Sequence, residues 1–453
     1  VIGNIIKPEL IELIRERGFS KLREVLLEFE PVELAEILGD FDPSDQAVFL
    51  RLLPKETAAD VFEFLDLEHQ EKLLEALNRD ELADLLNEMD PDDRTAILEE
   101  LPENVSSRLL DLLNPDERKI ADDLLGYSEG SIGRIMVPEY VEVKSDWSVD
   151  NVLEHLRSCG DRKESVHQLY VTDAEGKLRG LLRLRNLVTA PADSIVEDLL
   201  DPQIISLNAE DHQEMAVAVF QKYDRTVLPV IDSQARLVGV VTVDDIMDVA
   251  EEEVTEDFHK MGGMEALEAP YLSLPLFRMI RKRGGWLIIL FLGQQLTVFA
   301  MEFIKEDLDR MIYAISFLPL IISSGGNTGS QTSTLIIRAL ATREVELSDT
   351  WKVLIREFIT SIGLGLILAL VSWVLIFLFQ GHYDDAYLKV GLSVSLSLMG
   401  VVAFGGLIGG VFPFLLSKLG LDPAVCSSPF VTTLIDVCGL LIYFQIATMV
   451  YAI

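Results

Sequence analysis

The hydrophobic pattern changes character three times along the chain. From Pro31 onward, apolar residues recur at helical spacing inside units of 24 residues: PVELAEIL at 31, KETAADVF at 55, RDELADLL at 79 and ENVSSRLL at 103 share one phase. Ten residues into each unit stands a turn signal, at Phe41-Asp42-Pro43, Leu65-Asp66-Leu67, Met89-Asp90-Pro91 and Leu113-Asn114-Pro115. Asp or Asn before Pro is a strong helix start, because the side chain caps and Pro suits the first helical position. Leu53, Leu77, Leu101 and Leu125 close the units in register. Each unit therefore predicts two short helices, and stacking the units buries what one alone leaves exposed. With an amphipathic opening helix and no signal-peptide pattern, residues 1–128 read as a small α-solenoid, a scaffold or interaction surface.

Beyond Gly130 the pattern alternates between strand and helix, twice over. VEVK (141–144), SVDNVLEHLRS (148–158), QLYVTD (168–173) and LRGLLRLRNL (178–187) form one set. QIISL (203–207), AEDHQEMAVAVFQKY (209–223), TVLPVID (226–232) and LVGVVTVDDIMDV (237–249) form the other. After residue 271 long apolar runs take over, near 285–303, 311–340, 353–379, 390–416 and 430–453, each long enough for a membrane-spanning helix.

Charge divides along the same line. Residues 1–270 hold 62 acidic and 26 basic side chains, whereas residues 271–453 hold 12 of each, so the soluble part carries the whole net charge of −36. Such a surface repels nucleic acid and anionic lipid and attracts cations. Cys159, Cys426 and Cys438 are an odd set without metal-ligand spacing and predict no disulfide framework. Arg278, Arg281, Lys282 and Arg283 precede the first span; Arg338, Arg343, Lys352 and Arg356 flank the second connection, and Lys418 lies in the fourth. Lys305, Arg310 and Lys389 are the sparser charges of the other side. The bias places the N-terminal domains in the cytoplasm and the C-terminus outside a cell (inner) membrane, crossed several times. An odd count of five spans calls for two copies to complete a pathway.

Three features carry candidate chemistry. Asp436 sits in the last span with no basic residue in that segment, and a carboxylate at that depth costs about 2.5–3.5 kcal/mol on insertion scales. It is either kept protonated or hydrogen-bonded by a neighbouring helix, or it holds a cation on a permeation path. The run SSGGNTGSQTS (323–333) in the second span either lets helices pack closely or breaks to expose backbone carbonyls to a pore. In DDIMDVAEEEVTEDFHKMGG (244–263), Asp245, Asp248, Glu252 and Glu256 share one helical face. Like charges at that spacing destabilise a helix unless screened; the face is either solvated or bridged by Mg²⁺ or Ca²⁺, which oxygen-rich clusters suit. No phosphate-binding loop or catalytic set is present, so no enzyme activity is expected.

The phrases VLPVID and LVGVVTVDDI resemble a tandem CBS-domain pair, which implies a regulatory ligand such as ATP or another adenine nucleotide, with Thr242 and Asp245 at the ribose and phosphates. Asn186, Gln168 and Arg225 depart from that pattern. GGNTGSQ (325–331), TLIIRALATRE (334–344), DPAVCSSP (422–429) and TLIDVCGLLIY (433–443), with the whole architecture, resemble the MgtE family of magnesium transporters. The implied fold class is a multidomain membrane protein: an N-terminal all-α helical-repeat domain (1–128), an α+β tandem CBS pair (129–245), an acidic linker or plug helix (246–270) and a five-helix α transmembrane domain (271–453). The resemblance implies a homodimeric channel in the lipid bilayer, without nucleic acid or an obligate protein partner, that conducts Mg²⁺ down its gradient and is closed by intracellular Mg²⁺. Alternatives are a CBS-regulated channel or secondary transporter for another divalent cation, and a non-conducting Mg²⁺ sensor. Asp436 would bind the ion, with Gly325, Gly326, Asn327, Ser428 and Thr432 lining the pore. Asp92, Glu214, Asp245, Asp248, Glu253, Glu256, Asp257 and Asp422 would form the regulatory sites. His212 and Ala96 stand where that pattern has carboxylates. Ser330 and Ser428 stand where it has Asn.

Overall fold

The computed structural model describes residues 2–159, 165–267, 271, 274–304, 316–380 and 385–452. Its chain divides into two compact units, Val1–Glu252 and Glu253–Ile453. The first unit begins with ten helices: α1 (Ile2–Arg15), α2 (Phe19–Leu26), α3 (Pro31–Leu38), α4 (Pro43–Leu52), α5 (Lys55–Glu63), α6 (Leu67–Ala76), α7 (Arg79–Glu88), α8 (Pro91–Glu100), α9 (Glu103–Leu110) and α10 (Pro115–Leu125). From α3 on, helices of each class start 24 residues apart, as the apolar phase requires. Leu53, Leu77 and Leu101 are buried in one continuous core. Not every turn residue caps as expected. Asp66 and Asn114 accept the backbone N–H three residues on, whereas Asp42 and Asp90 make no such bond.

The repeat also has a polar signature that apolar periodicity does not reveal. Gln46, Gln70, Arg94 and Arg118 stand at one register, and each donates to the carbonyl eight residues earlier: Leu38, Phe62, Leu86 and Leu110, at 2.8, 3.0, 3.0 and 3.4 Å. Each adds a side-chain bond from the fourth residue of one helix to a carbonyl in the last turn of the helix before it, which fixes the angle inside every unit. Arg94 is fully buried and also pairs with Glu117 at 2.6 Å.

Two three-stranded sheets follow. The first holds β1 (Glu142–Val143), β2 (Gln168–Thr172) and β3 (Leu178–Arg183), with α11 (Val149–Cys159) between β1 and β2 and α12 (Leu184–Thr189) and α13 (Val196–Leu199) after β3. The second holds β4 (Leu207–Asn208), β5 (Val227–Ile231) and β6 (Leu237–Thr242), with α14 (Gln213–Tyr223) between β4 and β5. In each, the first strand runs parallel to the second and the second antiparallel to the third, with a register shift at Val171/Thr172 and again at Val230/Ile231. The turns match too: Asp173 accepts the N–H groups of Glu175 and Lys177, and Asp232 those of Gln234 and Arg236. Val137, Tyr170, Leu181, Val227 and Val240 join the copies in one core. Out of β6 runs α15 (Val243–Met261). The acidic linker helix thus starts at Val243, and residues 268–270 of its expected range lie outside the described residues.

The second unit contains α16 (Leu276–Phe303), α17 (Leu318–Ala341), α18 (Thr350–Gln380), α19 (Asp385–Lys418) and α20 (Ser428–Ala452). The basic run at 278–283 rides on the first turns of α16. Residues 311–315 of the second expected span, with Lys305 and Arg310, lie outside the described residues. Of the five long helices, α16, α18, α19 and α20 contain segments apolar enough to cross a bilayer; α17 is diluted by Gly, Ser, Asn and Gln. Leu287, Ile288, Phe291 and Leu292 on α16 are each more than half exposed, a face that suits lipid tails rather than water.

α19 packs against α17, α18 and α20, and α16 lies along α20. Glycine decides the closest of these approaches. A Cβ on Gly405 would lie 2.4 Å from the Gly325 carbonyl oxygen, and one on Gly409 would lie 2.2 Å from that of Gly329. Two Gly-x-x-x-Gly pairs therefore set the backbones of α17 and α19 against each other. The glycine run of α17 is an unbroken helix used for packing. Gly325, expected to line a pore, faces Val401 and Ile435 instead, and Gly326 faces Thr432.

Candidate permeation site and acidic face

Ser428, Thr432 and Asp436 are four residues apart on α20 and share one face. Thr432 Oγ1 donates to the Ser428 carbonyl at 2.6 Å, Ser428 Oγ donates to Ser330 Oγ at 2.8 Å, and Ser330 Oγ lies 3.5 Å from Thr432 Oγ1. The approach of α17 rests on Gly326, whose Cβ would lie 2.8 Å from Thr432 Cγ2. Ser330 and Ser428 bond to each other, so the two departures from the resembled pattern form one hydroxyl pair. This pairing is a tertiary fact with no signature in either segment. Asp436 is half-buried two turns along α20 from Ser428, and among the described residues its carboxylate makes no ion pair. Asn327 is exposed on α17.

Reasoning from sequence missed a second acid in this unit. Glu357 of α18 accepts Thr332 Oγ1 at 3.0 Å. Its signal was of the same kind as that of Asp436, a carboxylate inside an apolar run. At the start of α20, Ser333 Oγ donates to the Cys426 carbonyl at 3.2 Å. Asp422 caps the short 3-10 turn Pro423–Val425, accepting the Ala424 N–H at 2.8 Å, and pairs with Lys260.

Within the first unit, the structure brings Asp92 of α8 next to Asp245 of α15. Burial raises the Asp92 carboxyl well above its ordinary range, and the charges of Asp245, Asp93 and Asp90 add to the rise. Asp92 Oδ1 is buried and unpartnered among the described residues. Asp245 is raised mainly by burial, against two hydrogen bonds from Thr242, and Asp248, on the outer side of α15, is raised by partial desolvation and then by Glu251 and Asp244. The Thr242–Asp245 pair thus acts as a local cap at the start of α15. Asp93, Asp90 and Glu63, which sequence reasoning passed over, extend the acidic face, with carboxylate oxygens of all three within 4.8 Å of one another. Glu63 also accepts the Asp90 N–H, as Asn87 accepts that of Asn114 one unit later. Burial raises the Asp90 carboxyl, and the charge of Arg94, which is bonded to Leu86 and Glu117, offsets part of that rise. A cluster of carboxylate oxygens in excess over basic groups fits a hard divalent cation. Of the other expected regulatory acids, Glu214 lies exposed in the first turn of α14, Glu256 pairs with Lys260, and Glu253 and Asp257 lie half-buried on α15.

Burial and like charges push the Glu63 carboxyl up to about 8. An unfolded Glu titrates near about 4.3, so its stabilising effect is fully present below that pH and is lost as pH rises toward 8. In Mg²⁺-free buffer the thermal midpoint of the first unit's unfolding is expected to rise as pH is lowered from about 8.5 to 6.5. Glu63→Gln should flatten that rise; an unchanged slope in differential scanning calorimetry would contradict the assignment.

A helical unit with an exposed apolar face, a four-unit helical repeat and a two-copy sheet module define a multidomain membrane protein. Family models match residues 29–130 (MgtE intracellular N domain), 132–193 and 196–252 (CBS domain) and 318–446 (MgtE, divalent cation transporter). The chain is 38% identical to the magnesium transporter MgtE of Thermus thermophilus over 97% of each chain, and 34% identical to that of Enterococcus faecalis over 97% of this chain and 96% of the relative. A crystal structure of the cytosolic domain of the Mg²⁺ channel MgtE in complex with ATP aligns at 36% identity and TM-score 0.51, covering 53% of this chain and 98% of that one. The chain belongs to the MgtE family of magnesium transporters.

Proposed function

We propose that this chain is a homodimeric Mg²⁺ channel that conducts down the electrochemical gradient and closes when cytosolic Mg²⁺ neutralises the acidic face around Asp92 and Asp245. The observation that carries the gating half is the convergence of Asp92, Asp93, Asp245 and Asp248 with a buried, unpartnered carboxylate oxygen. At low Mg²⁺ these carboxylates repel, and α8 separates from α15. At high Mg²⁺ the compact arrangement binds the cation more tightly and is selected. In the second unit, Asp436 supplies the fixed charge of the path. Two copies facing across an axis would present two carboxylates, while the hydroxyls of Ser330, Ser428 and Thr432 accept or donate to the waters that Mg²⁺ retains. Five crossings, with the basic turns of α16 inside, leave the C-terminus outside the cell. The relative crystallised with ATP supports an adenine nucleotide at the CBS pair, near Thr242 and Asp245.

The test is Mg²⁺ flux into proteoliposomes with defined Mg²⁺ on the side of the soluble domains. Wild type is expected to conduct at low Mg²⁺ and close at high Mg²⁺. Asp245→Ala with Asp248→Ala should move half-closure to higher Mg²⁺, by roughly fivefold or more if the two carboxylates contribute a typical coupling energy. Flux that ignores cytosolic Mg²⁺ in wild type would remove the gating reading and leave conduction standing.

A further inference from the structure

The end of α15 is seated within the second unit by contacts of three kinds. Lys260 Nζ lies 2.7 Å from Asp422 Oδ2 and 2.7 Å from Glu256 Oε1. Gly263, at φ +69°, takes the left-handed conformation that ends the helix, and a Cβ there would lie 2.6 Å from the Trp286 ring and 3.3 Å from Pro429. Trp286 Nε1 in turn donates to Ser427 Oγ at 3.2 Å, and Met261 packs on the core that holds Val431 and Ile435. Asp422, Ser427 and Pro429 all belong to the entrance of α20, the helix that carries Asp436.

Charge is the informative part of this joint. Glu256 and Asp422 were both expected to be cation ligands. Facing each other alone, they would repel and need a divalent ion to hold them. Here one ammonium touches both, with side-chain exposures of 27% for Lys260 and 35% for Asp422, so the pairing is shielded enough to matter. The i, i+4 order, Glu before Lys, also supports the last turn of α15.

We propose that Lys260 is a built-in counter-cation: it pins the C-terminal end of α15 to the entrance of α20 without Mg²⁺, so this joint is a permanent latch. The Mg²⁺-sensitive movement is then confined to the other end of α15, where Asp245 and Asp248 meet Asp92 and Asp93. The latch also makes the threshold for closure depend on Lys260 while leaving the ion's own site alone. It presupposes that α20 carries the path, as proposed above.

Two measurements on the full-length protein in membranes test it. Carbodiimide coupling joins a lysine to a carboxylate in direct contact, and mass spectrometry reads the product. The Lys260–Asp422 cross-link is expected to form equally in excess chelator and in high Mg²⁺; a cross-link that appears only with Mg²⁺ overturns the latch, as does its absence from both. In flux assays, Lys260→Met is expected to raise the Mg²⁺ needed for half-closure by about threefold, the scale of a partly exposed pair. The exchange Lys260→Asp with Asp422→Lys should return it toward wild type. A Lys260→Met protein with unaltered closure, or an exchange that rescues nothing, overturns the proposal. Wild-type flux insensitive to Mg²⁺ would sink the gating reading instead, while the cross-link still reports on the latch.

Discussion

Replacing Asp436 by Ala is expected to remove Mg²⁺ flux, by about 100-fold or more, equivalent to roughly 2.7 kcal/mol on the barrier. The reason is electrostatic. A hydrated divalent ion entering a low-dielectric passage loses solvation that fixed charge must replace, and in α20 the carboxylate of Asp436 is the charged group on the face shared with Ser428 and Thr432. Hydroxyls alone bind the ion's waters but supply no net charge. Asp436→Asn keeps the size and hydrogen bonding and isolates the charge, so it should lose nearly as much flux as Ala. Proteoliposomes with matched amounts of folded protein check this. Retained flux in both variants would move the ion site off α20, with Glu357 beside Thr332 as the next carboxylate to test.

The second large effect is on stability. Gly409→Val is expected to prevent α17 and α19 from packing, because its Cβ alone would stand 2.2 Å from the Gly329 carbonyl oxygen, a backbone atom with no freedom to move aside. Overpacking a tight contact typically costs about 1–3 kcal/mol, and a rigid backbone clash lies at or above the upper end. Gly409→Ala already places that Cβ and should reduce the thermal midpoint and the folded yield in detergent. Gly363→Ala on α18 is the matched control, since nothing lies within 4 Å of the added Cβ. A helix-favouring Ala there should be neutral or slightly stabilising. Equal stability of Gly409→Ala and Gly363→Ala would show that the two Gly-x-x-x-Gly pairs are not the contact that holds the helices.

The helical repeat was legible because its signal is local. A 24-residue phase of apolar residues and helix-start signals repeats wherever the chain is read, and α3 to α10 begin where it says. The Gln46, Gln70, Arg94 and Arg118 register was printed in the same sequence but was passed over, since a polar residue that holds a carbonyl looks like any surface one until its partner is known. The strand-and-helix alternation of the sheet modules was equally readable, because side chains on strands and helices have different periods. The membrane helices announced themselves by length and hydropathy, apart from α17, whose glycines and hydroxyls lower its apolar signal.

What the sequence by itself determined, then, is the class of each segment, the family, and the list of acids from which the sites are drawn. Periodicity, capping and charge count are properties of neighbours along the chain. Tertiary structure decided which of those acids meet: Asp92 and Asp93 with Asp245, Glu63 with Asp90, Asp422 with a lysine rather than with other carboxylates. It decided that the glycines of α17 serve a backbone contact with α19, and that Ser330 and Ser428 answer each other. The physical reason is common to all of them. Coulomb repulsion, desolvation and steric contact depend on separations of a few ångströms between residues that lie 27 to 162 positions apart in sequence, and no local pattern encodes those separations.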